Sequence, residues 1–224
     1  MQTLRAEQPE PVAVATVAAP LHPEEQARAD LYALIARLLY AAPDAALLAS
    51  LAGADQMAAQ QADHPLDLAG EKLVLAASIM DQYAVAAEFN ALFISTGTPP
   101  VNPYGSLYLA GSLNEKPLAL LRTELARLRL ARRTGAGEME DHLGALCETM
   151  RVLIADDGGR AQPLEVQSKF FATHIAPWQQ RCLDDIRAAP EANFYRYVAD
   201  FAAAFFLVES EAFELDDAAL AGQL

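Results

Sequence analysis

Apolar residues recur along most of this chain at the three- and four-residue spacing of a helix, and its prolines and glycines fall mainly between those runs. That arrangement constrains the fold more than any other feature. A proline inside a helix removes a backbone bond and clashes with the preceding turn, but at the first helical position it is tolerated. Pro23 follows His22 and precedes Glu24 and Glu25, acids that suit the positive end of a helix dipole. Leu31, Leu34, Ile35, Leu38 and Leu39 then follow on one face. Pro43-Asp44 opens a short second helix that Gly53 ends. Pro65 begins a third, carrying Leu66, Leu73, Leu75 and Ile79, and Asp81 marks a break before Tyr83, Phe89, Leu92 and Phe93.

The pattern stops at STGTPPVNPYGSLYL, residues 95 to 109, whose three prolines and two glycines forbid a continuous helix. A long irregular connection inside a helical chain is often functional. Helix resumes at Pro117 through Leu118, Leu121, Leu125 and Leu128, with Arg122, Arg127, Arg129, Arg132 and Arg133 on the other face. Such a basic face in an acidic chain is read first as a solvated face paired with neighbouring acids. Thr134-Gly135-Ala136-Gly137 breaks this helix and is a candidate hinge, and GEMEDHLGALCETM starts the next. Asp156-Asp157-Gly158-Gly159 makes a turn, and two long helices fill the last third. The first holds Phe170, Phe171, His174, Ile175 and Trp178 and accommodates Pro177 by a kink or local break. The second begins near Glu191 and carries Phe194, Tyr195, Val198, Phe201, Phe205 and Phe206. The expectation is an all-α single domain, a helical bundle over residues 21–224, behind a flexible tail over residues 1–20.

With 224 residues and 53% hydrophobic content the chain has enough material for a sizeable core. Its formal charge of -14 excludes general nucleic-acid binding, which needs a basic surface to displace counterions from phosphates. It also disfavours an anionic membrane surface and would attract basic ligands such as an arginine-bearing peptide, although on charge alone the first reading is an acidic surface that keeps the chain in solution. No run of about 18 apolar residues is present to cross a bilayer, so no stable membrane insertion is expected. The segment AVATVAA is a weak mimic of a secretory signal, without the basic start such a signal needs. Cys147 and Cys182 form no CxxC pair and no zinc pattern, and reduced core thiols fit a cytoplasmic protein.

Enzymatic readings make the sharper demands. None of the four histidines has a glutamate three residues before it, so the di-iron bundle motif is missing, as is HExxH. There is no GxxxxGK[ST], no GxGxxG and no GxSxG. Glu138 and His142 stand four apart, and an enzyme dependent on a nucleotide or metal and centred on Glu138, Asp141 and His142 is the alternative reading. The structural reading of the same cluster is a capped helix start: carboxylates in a first turn each contribute about 0.3–1 kcal/mol. On that reading Asp141 aligns with Glu138 and Glu148 as an acidic face, His142 sits at its edge as a neutral hydrogen-bonding group, and Leu143, Leu146, Met150, Leu153 and Ile154 form the buried stripe. Cys147 lies on that apolar side, where an inert thiol belongs.

Four segments together resemble the redox-enzyme maturation chaperones of the TorD/DmsD type, related more distantly to the NarJ group. They are YAVAAEFNALFISTGTPPVNPYGSLYL from Tyr83 to Leu109, EMEDHLGALCE from Glu138 to Glu148, FFATHIAPW with Phe170, His174 and Trp178, and NFYRYVADF. Their order and separation agree across roughly residues 25 to 208. Met139 stands where that family often has proline, Leu146 replaces a frequent glutamate, and the loop lacks the usual Gly-Pro after Leu-Phe. The resemblance implies a TorD-like helical fold and binding rather than catalysis. The expected partner is the precursor of a molybdenum-cofactor oxidoreductase, held by its twin-arginine leader, its body or both until cofactor insertion is complete. By match, the peptide-binding residues are Asp141, His142, Tyr104, Ser106 and Tyr108, with Glu138 and Trp178, and Phe93 lines the apolar part. No cofactor is expected of the chain itself; contact with a guanine nucleotide or with molybdenum cofactor stays open, as does the choice between a monomer and a dimer that swaps helices about residues 134–137.

Overall fold

The computed structural model describes residues 21–54, 64–95, 97–132, 135, 137–155 and 161–221, with side chains as far as Asp216. The tail over residues 1–20, Thr134 and Ala136 of the hinge, and the Asp156–Gly159 turn lie outside the described residues. Ten α-helices form among those described: α1 Pro23–Tyr40, α2 Ala45–Gly53, α3 Pro65–Ile79, α4 Gln82–Phe89, α5 Gly105–Ala110, α6 Lys116–Arg127, α7 Leu143–Ile154, α8 Leu164–His174, α9 Gln179–Ala188 and α10 Phe194–Ala221. Helix α4 widens at its end into a π-type turn, Asn90–Ile94. No strand occurs among the described residues beyond one isolated bridge, Tyr104 to His142. The fold is all-α, a single helical domain.

The helix starts follow the expected local chemistry. Proline occupies the first turn of α1, α3 and α6. Asp44 accepts from the Leu47 N–H and Asp81 from the Tyr83 and Ala84 N–H groups, which satisfies donors that have no partner inside the helix. Pro177 is accommodated by a break: α8 ends at His174, residues 175–178 turn, and α9 begins at Gln179. The last third therefore holds three helices where two were expected.

Helix α1 lies along α7, while α10 packs against α3 and α9 and α2 covers α3. The interior is aromatic, with Tyr32 edge-on to Phe205 at 4.8 Å and Phe171 beside Phe206 and Phe213. On α3 the buried residues are Ala69, Leu73, Ala76 and Ala77, which let neighbouring helices approach, whereas Leu75 and Ile79 face solvent. Two buried carboxylates tie distant elements together. Glu88 on α4 accepts the N–H groups of Asn193, Phe194 and Tyr195 and so caps α10 from more than a hundred residues away. Glu209 on α10 accepts both arms of Arg28 at 2.8 Å and the Tyr32 hydroxyl at 3.0 Å.

Candidate functional site

The acidic segment 138–141 does not form the first turn of a helix. Helix α7 begins at Leu143, and its N-cap is His142, whose Nδ1 accepts the Gly144 N–H at 3.1 Å. The expected acidic face through Glu138, Asp141 and Glu148 is therefore absent. The reason lies in the backbone: Gly105 N–H donates to the Asp141 carbonyl at 2.9 Å and Leu143 N–H to the Pro103 carbonyl at 2.8 Å. The Pro-rich loop thus captures groups that a longer helix would have used, and the two segments are stitched side by side.

This stitching gathers most of the residues the sequence singled out. Tyr104 donates its hydroxyl to Glu138, and its ring stands edge-on to His142 at 5.1 Å. The other face of His142 stacks on Tyr40 at 5.4 Å. Asp141 is buried at 3% exposure, and its Oδ2 accepts the Ser106 N–H at 2.8 Å. Gly105 sits against the indole of Trp178, where an added Cβ would meet Nε1 at 3.1 Å and Cε2 at 3.2 Å. Trp178 donates its ring N–H to the His174 carbonyl and stacks on Tyr108 at 5.4 Å. Tyr108 in turn donates to Asp185, and its carbonyl accepts from Arg181. Phe93 lies apart from this group, packed on Phe89 and Tyr195. Tyr40 was not anticipated, since an aromatic residue ending a helix carries no local sign of what it faces. Of the arginines assigned to one helical face, Arg122 pairs with Glu140 and Arg127 with Glu124. Arg129 falls beyond α6 with φ of 57°, and Arg132 bonds the Glu138 carbonyl.

Electrostatics divide the cluster into settled and unsettled groups. Burial lowers the His142 pKa to about 4 against the opposing pull of Glu138 and Asp141, so the imidazole is neutral near pH 7 with Nδ1 as acceptor. Burial, then the bond to Glu138, pushes the Tyr104 phenol up and keeps it a donor. Burial likewise raises the Cys147 thiol, and that of Cys182 to about 12, as inert core thiols require. Among the described residues, three buried side-chain atoms have no hydrogen-bond partner: Asp141 Oδ1, Ser106 Oγ and Gln179 Oε1. No group of three metal-ligating side chains converges among the described residues. Glu138, Asp141 and His142 are each turned to a different partner.

Two hollows border the cluster, the smaller touching Asp141 and the larger touching Tyr40 and Glu138. One, of about 320 Å³, is walled by Gly105, Pro117, Leu120, Leu121, Asp141 and Trp178, with Lys116 also on its lining. The other, of about 780 Å³, lies between α1, α7, residues 129–132 and residues 138–140, with Tyr40, Leu125, Leu130, Met139 and Val152 among arginines and glutamates. Among the described residues, no helix is long and apolar enough to cross a membrane.

Residues 45–184 match the family model described as nitrate reductase delta subunit. The chain is 27% identical over 132 residues to the chaperone protein TorD of Photobacterium profundum, a match covering 55% of this chain and 61% of that protein. It is 26% identical over 120 residues to the probable Tat proofreading chaperone DmsD of Haemophilus influenzae, covering 53% of this chain and 56% of that one. The chain thus spans a little more than half the length of these relatives, both of which are named as chaperones rather than enzymes. With more than half of its length matched, the chain belongs to the nitrate reductase delta subunit family.

Proposed function

We propose that this member of the nitrate reductase delta subunit family is a cytoplasmic chaperone, not an enzyme, that binds the twin-arginine leader of a molybdenum-cofactor oxidoreductase precursor. It would hold that precursor until cofactor insertion is complete and delay its export. One observation carries the reading: Asp141 is a buried carboxylate with one oxygen lacking any protein partner, set in the wall of a largely apolar hollow. A buried charge left half-satisfied is costly unless a ligand completes it, and a guanidinium does so with charge-assisted bonds. The neutral His142 supplies no internal counter-charge, so Asp141 keeps its attraction for a cation. The apolar part of a leader finds matching surface in the larger groove, on Tyr40, Leu125, Leu130 and Val152. The net charge of -14 steers a basic peptide toward the molecule. The names of the two chaperone relatives support the same reading.

Affinity capture from the native host under anaerobic respiration tests it, with partners identified by mass spectrometry. An oxidoreductase precursor recovered with its leader uncut is the expected result. Recovery of the protein alone across several growth conditions would count against it and favour an enzyme centred on Glu138, Asp141 and His142.

A further inference from the structure

We infer that the site reads the two arginines of a leader unequally: one side chain enters the hollow beside Trp178 and meets Asp141, and the other stays at the surface. This rests on the leader-binding reading above. The hollow's 320 Å³ is at the small end of ligand cavities, suited to a single long side chain and not to a chain segment. Its walls at Pro117, Leu120 and Trp178 are apolar, which suits the methylene stem of arginine, and Asp141 supplies a buried charge for its head.

Asp141 is the acidic residue on this lining, and its free acceptor suits a guanidinium. Asp141 Oδ1 and Ser106 Oγ are both buried without partners, and their residues are already joined by the 2.8 Å bond from Ser106 N–H to Asp141 Oδ2. Arginine presents five donors in a planar fork, whereas lysine presents one compact charge. The neighbouring carboxylates are already engaged, Glu138 by Tyr104 and Glu140 by Arg122. Only one buried carboxylate in this cluster is half-free. Adjacent residues of an extended peptide point to opposite sides, so a second arginine cannot follow the first into the same hollow. Left at the surface, it gains only what an exposed ion pair gives.

Lys116 sharpens the picture. It is exposed, lines the same hollow and makes no ion pair among the described residues, so it repels an arriving cation. A neutral residue there should strengthen binding, and high salt should erase the gain.

The chain's single tryptophan, Trp178, lies in the wall and serves as a built-in reporter. The experiment titrates the full chain with a synthetic peptide carrying an Arg-Arg pair ahead of a Leu/Ala run, then with its Lys-Arg, Arg-Lys and Lys-Lys versions, read by tryptophan emission and calorimetry. One single replacement should weaken binding on the order of tenfold or more and the other by about threefold or less. Asp141→Asn should abolish the difference between the two, and Lys116→Gln should tighten the Arg-Arg peptide by about twofold at low salt. Equal losses from the two single replacements would overturn the inference while leaving leader binding intact, as would an asymmetry that survives in Asp141→Asn. If the Arg-Arg peptide neither releases heat nor alters the emission, leader binding itself fails, and the inference with it.

Discussion

Glu88, Glu209 and Asp141 are all buried carboxylates, at 8%, 1% and 3% exposure, yet they are partnered very differently. Glu88 accepts three backbone N–H groups, and Glu209 accepts three side-chain donors distributed over both its oxygens. Each is saturated, and each joins helices far apart in sequence. Asp141 has one side-chain bond, to Ser106 N–H, and its second oxygen has none. A carboxylate that serves only the fold is completed by the fold. On the proposed reading, one left incomplete at a cavity wall is available to a ligand, and that difference would separate structure from function in this molecule.

The largest expected effect falls on the saturated side of the comparison. Glu209→Ala leaves Arg28 with only its outer partners Glu25 and Gln167 and strips Tyr32 of its acceptor, so unfolding free energy should drop by about 3–5 kcal/mol. Denaturant titration measures it, and the fraction that stays folded should bind a leader peptide as the parent does.

A smaller effect separates His142 from the carboxylates. Its folded pKa of about 4 lies below the ordinary value of 6.5, so between those two values the unfolded chain holds a proton that the folded chain refuses. The stability contributed by the neutral imidazole is complete above pH 6.5 and is lost as pH falls toward 4, by up to about 3 kcal/mol. The difference in stability between the parent and His142→Asn, which keeps a capping acceptor, should therefore narrow or reverse over that range. A difference independent of pH would show that the imidazole is not the group titrating.

Smaller again is Gly105→Ala. Its Cβ would press on Trp178 at 3.1–3.2 Å, which should cost about 1–2 kcal/mol and shift the tryptophan emission as the indole N–H bond to His174 adjusts. An unchanged spectrum and stability would mean that the wall of the hollow yields easily, which would weaken the case for a shaped subsite.

Much of the fold was legible because its signals are local. Prolines at first turns, the helix start at Pro43-Asp44, and the breaks at Asp81 and Pro177 all act within a few residues of themselves. The start of α7 was misplaced because its limits are set by a segment some forty residues earlier, which takes the Asp141 carbonyl and the Leu143 N–H. The capping of α10 by Glu88 was invisible for the same reason, since no pattern near Phe194 announces a donor set filled from α4. Among the site residues, the convergence of Tyr104, Ser106, Glu138, Asp141 and His142 was indicated by the family resemblance of two separate segments, not by spacing. What no pattern indicated was which oxygen of Asp141 would be left over, or that Tyr40 would lie beneath His142.

The central claim is tested most directly by measuring stability and leader affinity together in Asp141→Asn. The asparagine oxygen can still accept the Ser106 N–H, so the fold loses little, within about 1 kcal/mol by denaturant titration. Affinity for the Arg-Arg peptide should fall on the order of tenfold or more, and its salt dependence should shrink because one attracting charge is gone. Unchanged affinity in a protein of parental stability would contradict the account and remove Asp141 from the binding site.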